Sequence, residues 1–300
     1  MTASPMTENT KKMITVRIKR FNPDVDKRPY YQDYPIELTH EKTVLDALEE
    51  IKATQDGSLT FRRSCRHAIC GSCAMMVNRR NTLVCTKPLA SVVSKGGLFN
   101  KADEVLIEPL PYLPIIKDLV VDRSAFWEQY QSMKPWLIGP EETPVREYRV
   151  SQEEVDAMEQ AETCIMCGAC YSSCPIIAGN KQYIGPHALL KVFMRAMDPR
   201  DQGIEERLNS IAHENGAFRC HQVVNCIDAC PKGLNPAKAI ATLALMSLRT
   251  GKHSAERAER LKSLIDSADD PALQPANAHH EHTNAPQVPL SSIPINSSRD

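Results

Sequence analysis

Eleven cysteines fall into three groups whose spacing could bind iron-sulfur clusters. Two of the groups are related runs in the second half of the chain, and each run ends in Cys-Pro. The first begins at Cys164 with the spacing C-x2-C-x2-C-x3-C-P, and the second begins at Cys220. In proteins that hold two clusters, the fourth cysteine of each such run binds the cluster of the other run. The two runs therefore predict two clusters with interleaved ligands.

The second run lacks one ligand, because Val223 stands where the template places a cysteine. Sorting the thiols by the crossing rule gives one set of four and one set of three. The set of four predicts a 4Fe-4S cluster and contains Cys164, Cys167, Cys170 and Cys230. The set of three contains Cys174, Cys220 and Cys226. Since a valine side chain cannot bind iron, we interpret the second set as a 3Fe-4S site.

The third group lies in the first half of the chain and has the spacing of a plant-type ferredoxin. Its thiols follow the pattern C-x4-C-x2-C with a fourth cysteine further along, which predicts a 2Fe-2S cluster. They are Cys65, Cys70, Cys73 and Cys85. Gly71 has no Cβ, so the loop backbone can approach the inorganic sulfides and turn its amides toward them. Cys85 has an alternative interpretation as a buried core residue.

Zinc knuckles or disulfides are the alternative explanation for cysteine pairs at these spacings. Two runs in register that both end in Cys-Pro are much more specific than a single C-x2-C pair. Disulfides also need an oxidising compartment. The first twenty residues contain neither an apolar signal region nor an Arg-rich amphipathic helix, so we expect a reducing compartment.

Composition excludes several classes of function. The chain has 300 residues, of which 42% are hydrophobic and 24% charged, as in ordinary soluble proteins of two domains. Its net charge of -1 gives no electrostatic basis for binding nucleic acid. The longest apolar stretch, residues 239–248, is half as long as a membrane-spanning helix requires. Any contact with a bilayer must therefore come through partner subunits or a surface patch.

The elements that position the first cysteine group are predicted to form a sheet with a helix. Alternating apolar residues predict a strand over residues 13–20, with a hairpin partner over 34–39. Thr43 can cap the helix that follows, and Gly57 marks its end. A closing strand is predicted at 104–109. Strand, strand, helix is how a ubiquitin-like β-grasp domain begins.

The second half is predicted to be helical, with both cysteine runs in connections between helices. Helices are expected over residues 118–130, from a capping box at Ser151, from Pro186, over 204–215 and from Pro236. We find no convincing strand in this half. The fold class is therefore α+β, an N-terminal β-grasp plant-type ferredoxin domain followed by an all-α helical ferredoxin domain.

The predicted boundaries follow the proline-rich stretch after residue 109 and the polar ends of the chain. Residues 1–11 are expected to be a flexible N-terminus, and residues 12–112 form the 2Fe-2S domain. Residues 113–253 form the helical domain with the other two clusters, and residues 254–300 are a disordered tail.

With these residues in view, the chain resembles the iron-sulfur subunits of succinate dehydrogenase, the membrane-bound respiratory complex II, and of fumarate reductase. The matching stretches are residues 64–75, 109–111, 116–122 and 220–236, within a similarity that extends over about residues 12–252. The resemblance implies three clusters, in the order 2Fe-2S, 4Fe-4S and 3Fe-4S, between a flavin and a quinone. A flavoprotein subunit with FAD would take two electrons from succinate, and this subunit would pass them on singly.

The resemblance also implies partners and a location. The 2Fe-2S domain would face the flavoprotein, and the 3Fe-4S end would face membrane anchor subunits of the cytochrome b type. Because no import peptide is seen, we expect a peripheral location on the cytoplasmic face of the cell (inner) membrane. The implied activity is that of succinate dehydrogenase (quinone). Fumarate reduction uses the same electron path, so both directions stay open here.

Pro175 and His221 match the family's quinone pocket, beside cluster ligands. The sequence departs from the family nearby, where Ala178 and Gly179 replace a common pair of tryptophans. A differently built quinone site or menaquinone as the acceptor would account for the change. His221 has an alternative interpretation as a half-buried polar residue bonded to the backbone.

Two other classes of function compete with a subunit of a membrane complex. A soluble two-domain electron carrier would bind its partners transiently, but such carriers tend to be strongly acidic, and this chain is not. A zinc-bound interaction module would be colourless, whereas iron-sulfur clusters absorb visible light. Stable co-purification with a flavoprotein and membrane anchors would exclude the soluble carrier. Visible absorption of the purified protein would exclude the zinc-bound module.

Overall fold

The computed structural model describes residues 12–97, 101–140 and 147–248. The predicted flexible N-terminus and disordered tail lie outside these residues. The strands are β1 (Met13–Arg20), β2 (Tyr30–Glu37), β3 (Ala74–Val77), β4 (Arg80–Leu83), β5 (Glu104–Glu108), β6 (Ile115–Lys117) and β7 (Val120–Val121). The helices are α1 (Val44–Thr54), α2 (Leu89–Val92), α3 (Ser124–Ser132), α4 (Gln152–Glu162), α5 (Pro175–Gly179), α6 (Pro186–Met197), α7 (Ile204–Ile211), α8 (Asn225–Asp228) and α9 (Pro236–Ser247).

A five-stranded mixed sheet forms the N-terminal domain, in the strand order β2-β1-β5-β3-β4. The predicted hairpin is confirmed, since β1 pairs antiparallel with β2. Ile14, Val16 and Ile18 of β1 point into the core, as their alternation predicts. β2 begins four residues earlier than predicted, at Tyr30.

The strand predicted to close the domain lies at the centre of its sheet. β5 pairs parallel with β1 on one side and antiparallel with β3 on the other. All five of its residues are buried, including Glu104 and Glu108. These carboxylates have cationic partners, because Arg17 lies 3.0 Å from Glu104 and Lys19 lies 3.7 Å from Glu108.

α1 packs on this sheet and begins as the sequence predicts. The Thr43 side chain accepts a hydrogen bond from the Asp46 backbone, and the Asp46 side chain accepts one from the Thr43 backbone, which completes a capping box. The helix ends at Thr54, before Gly57. Its apolar face is buried in the core of the domain.

The second half of the chain packs as helices around a separate apolar core. The capping box at Ser151 and the helix start at Pro186 are confirmed. α7 ends at Ile211, several residues before Gly216. None of the described helices is both long and apolar enough to cross a membrane.

The helix predicted over residues 118–130 is wrong in its first part. β6 and β7 form a two-stranded sheet there, and α3 begins only at Ser124. The reason is a long-range contact: the buried Asp118 carboxylate accepts hydrogen bonds from Arg20 and from the backbone amides of Phe21 and Thr60. Tied to the N-terminal domain in this way, the segment cannot wind into a helix. These strands also correct the expectation of an all-α region after residue 112.

The two domains meet at the cysteine loops. Cys167, Ala169 and Ala229, from the helical half, pack into the core of the sheet domain. The Asn81 side-chain amide donates to the Ala169 carbonyl oxygen over 3.0 Å. The join therefore fixes the first cysteine group close to the second.

Candidate iron-sulfur sites

The loop between α1 and β3 turns its backbone amides toward one thiol. The amides of His67, Ile69 and Cys70 lie 3.5, 3.4 and 3.3 Å from the Cys65 sulfur. These hydrogen bonds lower the pKa of Cys65 to about 6, and the bond from the His67 amide has the largest effect. The loop thus favours a thiolate at Cys65 through backbone donors, as a cluster-binding loop must.

The other three thiols of this group differ in burial, and Cys70 is exposed. Cys73 and Cys85 are buried, and the Ala68 amide donates to the Cys85 sulfur over 3.4 Å. Burial raises the pKa of Cys73 to about 12. A hydrogen bond with the Cys85 backbone acts against this shift, whereas the Cys85 and Cys70 thiols act in the same direction as burial. Cys85 packs in the apolar core, and its sulfur also faces the loop. Its burial is therefore compatible with binding a cluster together with the other three thiols.

The four thiols predicted for a 4Fe-4S cluster line one cavity, to which α6 and α9 also contribute residues. They are Cys164, Cys167, Cys170 and Cys230. Burial raises the pKa of Cys167 to about 11 and raises that of Cys170 as well. The Leu234 amide donates to the Cys230 sulfur over 3.4 Å. Cys230 thus lies beside thiols from far upstream in the chain.

The three thiols of the other set line a second cavity. They are Cys174, Cys220 and Cys226. Val223 lines the same cavity, with 48% of its surface exposed. Burial raises the pKa of Cys226 to about 11. The valine therefore lies beside these three thiols.

Pro175 and His221, the candidate quinone residues, also line this second cavity. Pro175 is the first residue of α5 and is exposed. His221 is exposed as well. Both residues are accessible beside the three-thiol set.

A single turn of 3-10 helix, Tyr171–Ser173, connects the two cavities from Cys170 to Cys174. The Ser173 hydroxyl donates to the Asn225 carbonyl oxygen over 3.2 Å, and the Asn225 side chain donates to the Ser173 carbonyl oxygen over 3.3 Å. This reciprocal pair fastens the first cysteine run to the second. This short, hydrogen-bonded turn therefore fixes the distance between the two cavities.

The donor chemistry of all three sets fits iron-sulfur clusters, since each set consists of cysteines and backbone amides point at several of the sulfurs. Within residues 12–97, 101–140 and 147–248, no three histidine, cysteine or acidic side chains are grouped to hold a metal ion. A cluster differs from such a site because it distributes its thiolates over several irons.

Three polar side chains that the sequence did not single out lie close to the thiols. The Gln222 amide donates to the Cys220 sulfur over 3.5 Å and to the Ala237 carbonyl oxygen over 3.2 Å. The buried Lys191 ammonium donates to the Ala161 carbonyl oxygen over 2.8 Å. The Arg123 guanidinium donates to the Met166 carbonyl oxygen. Lys191 is a charged residue on the apolar side of α6, and this pattern marks it as unusual in the sequence. No comparable sequence pattern marks Arg123.

The chain matches the models of two domain families. The 2Fe-2S iron-sulfur cluster binding domain matches residues 15–128, and the 4Fe-4S dicluster domain matches residues 157–231.

Whole-chain relatives carry more specific names. The chain is 42% identical over 245 residues to the mitochondrial succinate dehydrogenase (ubiquinone) iron-sulfur subunit 1 of Oryza sativa subsp. japonica, covering 80% of this chain and 83% of the relative. It is 40% identical over 244 residues to the succinate dehydrogenase iron-sulfur subunit of Paracoccus denitrificans, covering 81% and 91%. The chain belongs to the family of succinate dehydrogenase and fumarate reductase iron-sulfur subunits.

A second branch of the family and a solved structure agree with this placement. The fumarate reductase iron-sulfur subunit of Mycobacterium tuberculosis is 41% identical over 229 residues, covering 76% of this chain and 90% of the relative. A chain of the Mycobacterium smegmatis Sdh1 complex in the apo form superposes with a TM-score of 0.68 at 25% identity, covering 83% of this chain and 98% of that one. The iron-sulfur subunit thus has the mixed architecture expected from its sequence, a 2Fe-2S domain followed by a helical 4Fe-4S domain.

Proposed function

We propose that this subunit carries electrons through three clusters, from a flavoprotein with FAD to a membrane quinone, in a succinate dehydrogenase complex. The observation that carries the proposal is the sorting of the seven helical-domain thiols into two neighbouring cavities, four in one and three in the other. That sorting is what one 4Fe-4S and one 3Fe-4S cluster require. The 2Fe-2S group lies against the first of these cavities, because a Cβ on Gly71 would be 2.9 Å from Cys167.

The ligand assignment is part of the proposal. The 2Fe-2S cluster takes Cys65, Cys70, Cys73 and Cys85. The 4Fe-4S cluster takes Cys164, Cys167, Cys170 and Cys230. The 3Fe-4S cluster takes Cys174, Cys220 and Cys226. Each cluster, when bound, supplies one-electron redox chemistry.

The chain's own residues hold these sites in a fixed series and adjust their electrostatics. Gly71 brings the first loop against the second, and the turn Tyr171–Ser173 links the second to the third. Loop amides that donate to Cys65, and the Gln222 amide that donates to Cys220, stabilise negative charge on sulfur. The subunit itself breaks no substrate bond.

The N-terminal domain is assigned to the plant-type β-grasp class, which the mixed sheet and its packed helix α1 support. The boundary at about residue 112 stays a prediction. Leu110 already packs in the core of the helical half, whereas Leu119 packs in the core of the sheet domain, so the chain crosses between the cores in this region.

The partners follow from which ends of the series are accessible. Cys70 is exposed at one end, where the flavoprotein would dock. Pro175 and His221 are exposed beside the three-thiol cavity, where the quinone and the cytochrome b-type anchor subunits would lie. Ala178 and Gly179 are also exposed there, and neither supplies an indole to hydrogen-bond a quinone. The subunit would then be peripheral on the cytoplasmic face of the membrane, held by its anchors.

Fumarate reductase is the second candidate function, favoured by the Mycobacterium tuberculosis relative. Oxidation of succinate and reduction of fumarate differ in the direction of electron flow through the same clusters. Assays of the purified complex with succinate and a quinone, and with a quinol and fumarate, distinguish the two.

The test of the ligand assignment is EPR of the oxidised complex with and without Val223→Cys. Wild type is expected to show the signal of an oxidised three-iron cluster, and the variant to lose it because a fourth iron gains its thiolate. Val224→Cys is the matched control: Val224 lines the same cavity and is similarly exposed, 45% against 48%, but lies one residue away from the template position. Absence of the three-iron signal from intact wild-type complex would overturn the assignment.

A further inference from the structure

Arg123 is held in a fixed position just before α3. Its guanidinium donates to the Met166 carbonyl oxygen, within the first cysteine run. The guanidinium carbon lies 4.6 Å from the ring centre of Phe126 and 5.5 Å from that of Trp127. A cation over two aromatic faces and bonded to a carbonyl has little freedom to turn toward solvent.

The charged surroundings of Arg123 are unusual for a partly buried guanidinium. Its Nε is buried and has no hydrogen-bond partner among the described residues. Burial lowers the pKa of Arg123 from its ordinary value, and the sulfurs of Cys167 and Cys170 act in the opposite direction. Arg62 is the other charged neighbour. Buried cations are normally paired with a carboxylate, and here the nearby anionic groups are two thiols proposed to bind the 4Fe-4S cluster.

The cysteine run is shaped to admit this side chain. Gly168, between Cys167 and Cys170, has a positive φ of 85°. A Cβ at Gly168 would lie 3.3 Å from the Arg123 Nη2, closer than side chains normally pack. Glycine therefore serves two needs at this position, since it adopts the left-handed backbone without strain and leaves room for the guanidinium.

The guanidinium lies between the first and second cysteine groups. Arg62, Gly71, Ser72, Arg123 and Cys167 line a small cavity shared by the two loops. Gly71 and Ser72 belong to the proposed 2Fe-2S loop, whereas Cys167 belongs to the proposed 4Fe-4S site. Arg123 reaches the second group more closely, through Met166 and Gly168.

We propose that Arg123 is a positioning residue whose positive charge raises the reduction potential of the 4Fe-4S cluster. This inference rests on the ligand assignment proposed above. Reduction adds one electron to a cluster that already carries four thiolates, and a fixed cation nearby stabilises the more negative state. Arg123 transfers neither an electron nor a proton, because its guanidinium stays charged in proteins. The charge makes the middle cluster a better acceptor for an electron arriving from the 2Fe-2S side.

Three substitutions separate charge from hydrogen bonding and packing. Arg123→Lys keeps the charge and a donor, Arg123→Gln keeps a donor without the charge, and Arg123→Met keeps only an unbranched stem. Potentials are measured by EPR-monitored redox titration of the assembled complex, with the 2Fe-2S cluster of the same sample as an internal reference.

Arg123→Gln and Arg123→Met are both expected to disfavour reduction of the 4Fe-4S cluster by about tenfold, which is about 59 mV for one electron. Arg123→Lys should retain most of the wild-type potential, and the 2Fe-2S potential should move less in every variant. A potential in Arg123→Gln equal to wild type, or one in Arg123→Lys as low as in Arg123→Met, would overturn the role of charge.

The result also distinguishes this inference from the ligand assignment. If wild-type complex lacks a 4Fe-4S signal on reduction, the assignment of the four thiols fails. If the signal is present in all four proteins and its potential does not change, the assignment stands and the inference about Arg123 fails.

Discussion

Gly71 lies against the backbone of Cys167, so the loop of one cysteine group touches the loop of the next without any intervening side chain. A Cβ on Gly71 would be 2.9 Å from both Cα and Cβ of Cys167 and 3.0 Å from the Ile165 carbonyl oxygen. The residue also has a positive φ of 70°. The sequence alone accounts for Gly71 within its own loop, and the structure adds that Gly71 sets the approach of two domains.

Gly71→Ala is therefore expected to separate the two loops. Left-handed strain costs about 1–2 kcal/mol, and the clash adds about 1–3 kcal/mol through forced displacement. Thermal unfolding of the complex measures the loss, and the rate of 4Fe-4S reduction through the 2Fe-2S cluster measures the separation. Gly96→Ala is the control, because Gly96 has a φ of 88° but its nearest contact for a Cβ is an ordinary 3.5 Å. Equal effects of both substitutions on stability and electron transfer would contradict the role of the close approach.

Cys230→Ser should abolish the 4Fe-4S cluster even though the other three thiols of its set precede it by a long stretch of helices. The physical reason is that Cys230 lines the same cavity as Cys164, Cys167 and Cys170. EPR of the reduced complex should lose the four-iron signal and keep that of the 2Fe-2S cluster. Cys85→Ser serves as the reciprocal variant, with loss of the 2Fe-2S signal expected. Persistence of a normal four-iron signal in Cys230→Ser would refute the interleaving.

Asp118→Ala should strongly destabilise the sheet domain. The carboxylate is 2% exposed and lies 2.9 Å from the Arg20 Nε, so its removal leaves a buried guanidinium without this partner. Removing one member of a buried pair costs about 3–5 kcal/mol. Asp33→Ala is the matched control, because Asp33 pairs with Arg17 over 2.7 Å at a more exposed position. A surface pair contributes about 0–1 kcal/mol, and urea unfolding should separate the two variants clearly.

Asp56 is expected to make stability depend on pH. Hydrogen bonding by Ser58 is the main cause that lowers the pKa of Asp56, with further contributions from Arg20 and Tyr34. Because the folded-state pKa is depressed, the stabilisation is complete above the ordinary aspartate value of about 3.9 and is lost as the pH falls below it.

The difference in unfolding free energy between wild type and Asp56→Asn should therefore be largest near neutral pH and shrink below about pH 4. Urea unfolding of the chain across this range measures it. Asp24→Asn, at an exposed loop position, should leave the stability unchanged. A difference that grows toward acid pH would show that the sign is wrong.

Local chemistry was readable from the sequence because the signals are local. Cysteine spacing, the caps at Thr43 and Ser151, and the alternation in β1 each depend on residues a few positions apart. The same holds for Val223, whose side chain cannot bind iron wherever the chain places it. These features predicted the sets of thiols and located most of the elements that carry them.

Tertiary structure decided what depends on residues far apart in the chain. Asp118 lies in the turn between β6 and β7, with a positive φ of 46°, rather than in a helix, because its partners are Arg20, Phe21 and Thr60, and no local pattern announces them. Arg123 matters because folding places it between two cysteine loops, with Phe126 and Trp127 beside its guanidinium and the sulfurs of Cys167 and Cys170 nearby. Spacing in a sequence determines which atoms can bind a cluster, whereas packing between domains determines which charges and backbone atoms surround it.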